Sequence, residues 1–285
     1  VCPAAPGRAG LSSAPAGEAV PIRPLGSREL LDLPFAVIQA DIRVFAGLIA
    51  PVLAGAVGAV VAITAAGSAA TAGSDAGTAW AAILSTAVCV LLLRFYVRGV
   101  ATPVAWARIT GGALGWRAAL REFTSRVRPL LSFQAGYTLT GVGVLLLGAP
   151  LLITLLPAVV WLGRLRATRC TTVPVLFAEN APYRIAATRA KVLAAGGEWQ
   201  LAGIWLYHRG LLAVLVVPLL GIPLFLSDFS GTHRWAMITL TVTVVLTLAT
   251  FAELVDSTTR LVAYVDRRCR REAWDIVLPQ GGPTR

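Results

Sequence analysis

Pro129–Gly163 reads PLLSFQAGYTLTGVGVLLLGAPLLITLLPAVVWLG, 35 residues without a charge. As one helix it would be about 52 Å long at 1.5 Å per residue, against a bilayer hydrocarbon core of about 30 Å. Gly148-Ala149-Pro150 sits near its middle, and such a cluster turns the chain. The run therefore divides into two short spans, Leu130–Leu147 and Leu151–Ala167. Counting it once or twice decides on which side of a membrane every later segment lies.

Four more apolar runs, Val44–Ala66, Thr78–Val97, Gly210–Ser227 and Ala236–Ala252, bring the number to six. The composition agrees, with 56% hydrophobic and 14% charged residues, where soluble domains carry about 25% charged. The expected fold class is an all-α integral membrane protein of six transmembrane helices.

Orientation follows Lys and Arg in the short loops. Arg98, Arg108, Arg117, Arg121, Arg126 and Arg128 follow the second span, and Arg164, Arg166, Arg169, Arg184, Arg189 and Lys191 follow the fourth. Arg260, Arg267, Arg268, Arg270 and Arg271 follow the sixth. Six spans put all of these on one side and leave Arg234 alone on the other; five would divide them. The pattern predicts both termini in the cytoplasm, beneath a bacterial plasma membrane. Trp80 and Trp235 at the outer ends, with Trp161, Trp199 and Trp205 towards the inner ends, suit an aromatic belt. Arg94, near the inner end of the second span, reads as a side chain that snorkels to the interface.

The basic loops carry helical periodicity. In GWRAALREFTSRVRPLL, Trp116, Ala119, Leu120, Phe123, Val127 and Leu131 share one face and Arg117, Arg121, Thr124 and Arg128 the other, the pattern of a helix lying on a membrane surface. SRELLDLPFAVIQADIR, with Ser27 as N-cap, and PYRIAATRAKVLAAGGEW repeat it before the first and fifth spans. The chain thus reads as three units of surface helix plus hairpin.

The formal charge of +11 comes from 24 arginines and Lys191, a bias that suggests a GC-rich bacterial genome. Because the arginines fall in short clusters between apolar runs, nucleic-acid binding is not expected. Cys2, Cys89, Cys170 and Cys269 show no CxxC spacing, so neither disulfide, metal nor cofactor is expected. Residues 1–26, rich in Pro, Gly, Ala and Ser without a signal-like apolar core, are expected to be a disordered cytoplasmic tail. The membrane domain is expected over 27–275, with a short tail at 276–285. Ala50, Ala54, Gly58 and Ala62 form a stripe of small residues expected to pack within the protein. Thr239, Thr241, Thr243, Thr247 and Thr250 are expected to bond back to their own helix.

His208-Arg209-Gly210 matches the first tripeptide of the glycerophosphodiesterase catalytic site, but Glu179-Asn180, which would follow it there, precedes it here. Two histidines and no barrel-sized soluble segment leave no means for metal-assisted phosphodiester cleavage. By depth, His208 and Arg209 on the fifth span lie level with Glu253 and Asp256 on the sixth, predicting a polar cluster in which Arg209 pairs with Glu253 or Asp256.

From Leu155, LLPAVVWLGRLRATRCTTVPVLFAENAPYRIAATRAKVLAAGGEWQLAGIW resembles actinobacterial multi-span proteins grouped with the membrane domain of glycerophosphoryl diester phosphodiesterases. RPLGSRELLD at 23–32 and AYVDRRCRREAWDIVL at 263–278 resemble that group's two ends, and Arg189, Leu193, Gly196, Trp199 and Gly203 carry the match in the second basic loop. Where such proteins often have an aromatic residue, this chain has Lys191. The resemblance implies a six-helix module without the hydrolase, which in fused members is a separate domain.

With no nucleotide, metal or nucleophile constellation, the expected function is non-enzymatic: a scaffold or accessory subunit of an envelope complex. Its basic residues Arg117, Arg121, Arg128, Arg184, Arg189, Lys191, Arg267, Arg268, Arg270 and Arg271 would face anionic headgroups, each worth about 1 kcal/mol near a charged surface, or a partner subunit. The alternative is a permease subunit working with a cytoplasmic ATPase, for which Pro218 and Pro223 could unwind the fifth span.

Overall fold

The computed structural model describes residues 22–148, 152–230 and 234–273. The turn at Ala149-Pro150, most of the expected N-terminal tail and the whole expected C-terminal tail lie outside them. Among the described residues all regular structure is helical: α1 (Ser27–Ala40), α2 (Ile42–Ala70), α3 (Asp75–Ile109), α4 (Trp116–Ser125), α5 (Val127–Gly148), α6 (Leu152–Ala167), α7 (Thr172–Ala178), α8 (Tyr183–Ala194), α9 (Glu198–Ser230) and α10 (Arg234–Glu272).

Five of these, α2, α3, α5, α9 and α10, are long and apolar enough to cross a membrane. Their outward sides carry exposed large apolar residues such as Leu146, Leu147, Val214 and Phe225, which water would not tolerate as a continuous surface. α6, the other half of the divided run, has 16 residues, about 24 Å at 1.5 Å each, and falls short of that length.

Directions follow from the contacts. Arg94 and Trp106 on α3 meet Glu253 and Tyr264 on α10 in the same order, so these two helices run parallel. α6 returns antiparallel to α5, since Gly148 faces Ala158, Gly141 faces Arg166 and Gly136 faces Arg169. It is antiparallel to α9 as well, Gly163 lying against Trp205 and Ala167 packing with Leu201.

The main core sits at the arginine-rich end. There α3 from Val97 to Ala105, and α10 from Ala252 to Arg267 apart from half-buried Thr259, are buried on every side. The apolar run of the second span ends at Val97, where a loop is expected, but the helix continues twelve residues further, enclosed by neighbours. One neighbour is α7, TVPVLFA, whose first six residues are all buried. Gly99 lets α4 close on α3: a Cβ there would collide with the Phe123 ring, which packs edge-on against Phe95 and Tyr96 at 5.5 and 5.7 Å.

The expected surface helices dock partly on the protein itself. α1 buries Leu30, Pro34, Val37 and Ile38, α8 buries Ala186, Ala190, Leu193 and Ala194, and α4 buries Ala119. The α4 pattern is broken at Arg126, after which Val127 opens α5. Gly26, not Ser27, is the N-cap of α1, its amide donating to Glu29 Oε2 at 2.8 Å. The small-residue stripe, expected to pack within the protein, is exposed at Ala50, Ala54, Gly58 and Ala62. Thr239, Thr243 and Thr250 do bond back to the carbonyls of Trp235, Thr239 and Leu246.

Candidate functional site

Residues 253, 256 and 260 recur at helical spacing, so Glu253, Asp256 and Arg260 form one polar stripe on α10. Arg94 and Arg98 do the same on α3. α5 contributes Gln134 and Tyr137, α6 contributes Arg166, and α9 contributes Trp205, His208 and Arg209. All converge just inside the arginine-rich end.

Glu253 is fully buried and receives three guanidiniums: Arg94 Nε at 2.8 Å, Arg98 Nη2 at 2.7 Å and Arg260 Nη1 at 3.2 Å. Arg98, 1% exposed, also donates to Gln134 Oε1 at 2.6 Å. Asp256 pairs with Arg209 and lies 3.5 Å from Arg260. The predicted Arg209 pairing therefore forms with Asp256, while Glu253 is taken by arginines that sequence reasoning assigned elsewhere. Arg94 turns inward instead of snorkelling, and Arg98 and Arg260 are core residues instead of loop and tail cations. Their signal was the carboxylate itself, since a buried Glu needs more than one partner to offset its desolvation.

Five arginines here outnumber two carboxylates, and aromatic faces take up the difference. Around the Tyr137 ring stand Arg166 at 4.0 Å, Arg98 at 5.0 Å, Arg260 at 5.4 Å and Arg94 at 5.9 Å from the centroid, within the range of cation–π attraction. Trp205 lies 5.1 Å from Arg166 and 5.5 Å from Arg209.

Behind Tyr137 a cavity of about 40 Å³ is bounded by Arg166, Trp205, His208, Asp256 and Arg260. At roughly 10–15 Å³ per water admitted, it holds only a few. His208 is 2% exposed, and neither ring nitrogen bonds a protein group among the described residues. Its ring meets Phe35 and Tyr207 edge-on at 6.1 and 5.8 Å. Glu179, the other half of the reversed hydrolase motif, instead accepts from the Tyr264 hydroxyl at 2.8 Å and pairs with Arg189. Among the described residues no group of three or more His, Cys, Asp or Glu could hold a metal ion.

The ten basic residues expected to face lipid or a partner divide. Arg117, Arg121, Arg128, Arg184 and Lys191 are exposed. Arg189 is held by Glu179 and by Glu272 at 2.8 Å, and the Glu179 hydrogen bond raises its pKa. Arg268 pairs with Glu272 at 2.9 Å; Arg270 pairs with Asp266 at 2.8 Å and donates to the Leu25 carbonyl at 2.6 Å; Arg271 donates to the Ala195 carbonyl. Arg267 is buried and donates to Gln200 Oε1 at 2.8 Å, because Gly197 leaves room for its guanidinium where a Cβ would collide. The C-terminal arginine run thus fastens α10 to α1 and to the α8–α9 turn.

Exposed cations also stand beside exposed apolar side chains: Arg117 by Trp116, Arg128 by Leu131, and Arg184 and Lys191 by Ile185 and Val192. Trp80, Trp161, Trp199 and Trp235 are exposed, whereas Trp205 faces the cavity. In comparisons with known proteins, the chain matches no protein-family model, no curated protein and no solved structure.

Proposed function

We propose that this is a non-catalytic, six-span protein of a bacterial plasma membrane that serves as a scaffold or accessory subunit of an envelope complex. Its termini lie in the cytoplasm and its basic end rests on anionic headgroups. The observation that carries the reading is the juxtaposition of exposed arginine or lysine with exposed apolar side chains on α4, α8 and the start of α5. A surface that meets lipid at the headgroup level wants apolar groups towards the chains and cations towards the phosphates.

Chain direction supports six crossings. α3 and α10 run parallel, which requires an even number of crossings after α3 up to and including α10. α5, α9 and α10 alone make an odd number, and α6, antiparallel to both α5 and α9, supplies the fourth. Its shortness is a mismatch of a few Å, accommodated by local thinning at modest cost. The family resemblance in the 155–205 segment and the two ends belongs to the same proposal.

The permease alternative wanted an unwound fifth span lined by water. α9 is one continuous helix through Pro218 and Pro223, and the charges beside it are engaged with one another around a small cavity. Mild-detergent affinity purification of the tagged protein from its native membrane tests the proposal. A stoichiometric membrane protein or envelope enzyme is expected; a stoichiometric ATPase would replace this reading with the permease, and recovery of the chain alone would remove the accessory role.

A further inference from the structure

A second, larger pocket of about 210 Å³, which shares Tyr137 and Arg166 with the small cavity, lies between α5, α6 and α8. Its polar lining is cationic and hydroxylic: Arg166, Arg169 and Lys191 with Tyr137, Thr140, Thr168 and Tyr183, and no carboxylate among the described residues. We propose that this pocket binds a phosphate group, presented either by an anionic lipid headgroup or by a soluble phosphate. The inference rests on the proposed reading of the basic end as a headgroup-contacting face, and adds one defined internal site to it.

Two glycines of α5 shape the site. A Cβ at Gly141 would stand 2.7 Å from Arg166 Nη2, and one at Gly136 would stand 3.6 Å from the Tyr183 hydroxyl and 3.9 Å from Arg169 Nη1. Arg166 and Arg169 thus lie against α5 at glycines five residues apart, with the Tyr183 hydroxyl beside the second. Arg166 has ring partners in Tyr137 and Trp205 but no carboxylate among the described residues, and its Nε is buried without an acceptor. A guanidinium held this way lacks a counter-charge, which a phosphate oxygen would supply. Planar guanidinium forks with adjacent hydroxyls match tetrahedral oxyanions in charge and geometry. At roughly 10–15 Å³ per water admitted, the volume accommodates a phosphate and the first atoms of its ester.

The test uses the full chain in mild detergent, with native mass spectrometry of retained lipid and phosphatidylglycerol, phosphatidylcholine and inorganic phosphate as probes. Wild type is expected to retain one phosphatidylglycerol per chain in preference to phosphatidylcholine. The Arg169→Gln/Lys191→Gln variant should bind it about tenfold or more weakly, as expected from losing charge-assisted bonds. Arg117→Gln/Arg121→Gln, which removes equal charge outside the pocket, should leave this one lipid in place. Displacement by millimolar inorganic phosphate would show that free phosphate suffices; resistance to it would assign the site to the lipid headgroup. If the double variant is unstable, Lys191→Gln alone, at an exposed position, should still weaken binding. Pocket variants that retain lipid and phosphate as wild type does would overturn the site. The wider headgroup reading is tested separately, by whether Arg117→Gln/Arg121→Gln lowers the total anionic lipid carried.

Discussion

Replacing Glu253 by glutamine preserves shape and removes the charge on which three arginines converge. Glu253 is fully buried, with Arg94, Arg98 and Arg260 at 2.8, 2.7 and 3.2 Å. The amide nitrogen of glutamine would also point a donor at a guanidinium, which is itself only a donor. Breaking one buried pair costs about 3–5 kcal/mol because the surviving charge stays desolvated. Asp256, 3.5 Å from Arg260, offsets part of the loss, chiefly for that arginine. At about 2 °C per kcal/mol for a chain of this size, the apparent melting midpoint should fall by about 6–10 °C. Tryptophan fluorescence at a fixed heating rate in detergent reads it, the fixed rate guarding against irreversible unfolding. In an Arg98→Met background the same change should cost less, with a coupling of about 1 kcal/mol or more. A Glu253→Gln midpoint within about 2 °C of wild type, or strict additivity with Arg98→Met, would show that the centre does not hold the helices together.

Other expectations are smaller in scale. Gly99→Ala pushes a methyl into the Phe123 ring and should cost about 1–3 kcal/mol by overpacking, with Phe123→Ala in the same chain recovering part of the melting shift. The Gly26 amide, and after it the Arg23 guanidinium, hold Glu29 below its ordinary value of 4.5. Its contribution to stability is therefore present above that ordinary value, which the unfolded chain keeps, and lost as pH falls through the lower folded value. Wild type should melt above Glu29→Gln at pH 7, and the two should converge in strong acid. Burial pushes the Cys170 thiol up to about 11, so a chain retaining only that cysteine should react with maleimide at neutral pH about a hundredfold or more slowly than an exposed thiol, quickening as pH rises.

The five long helices were legible because a surface facing hydrocarbon must stay apolar over about 20 residues, and no soluble pattern imitates that. Arg209 with Asp256 was legible for a related reason: depth along two neighbouring helices can be counted. Arg94, Arg98 and Arg260 were not. An arginine near the end of an apolar run looks the same whether it reaches out to water or turns in, and the choice depends on a carboxylate 155 or 159 residues away for the two on α3. α7 escaped notice because seven residues buried nearly all round show no alternation for periodicity to detect. The C-terminal arginines read as cations facing headgroups or a partner, yet Gly197 and Asp266 draw several of them into the packing.

The span between the α3 arginines and Glu253 also sets an order in time. Ribosomes add about 5–20 residues per second, so Arg94 precedes Glu253, 159 residues later, by about 8–30 s. Throughout that interval the growing chain carries two of its central cations without the anion that will neutralise them. α10 is the helix that brings that anion, so a chain stopped before residue 253 would hold Arg94 and Arg98 without the carboxylate that pairs with both.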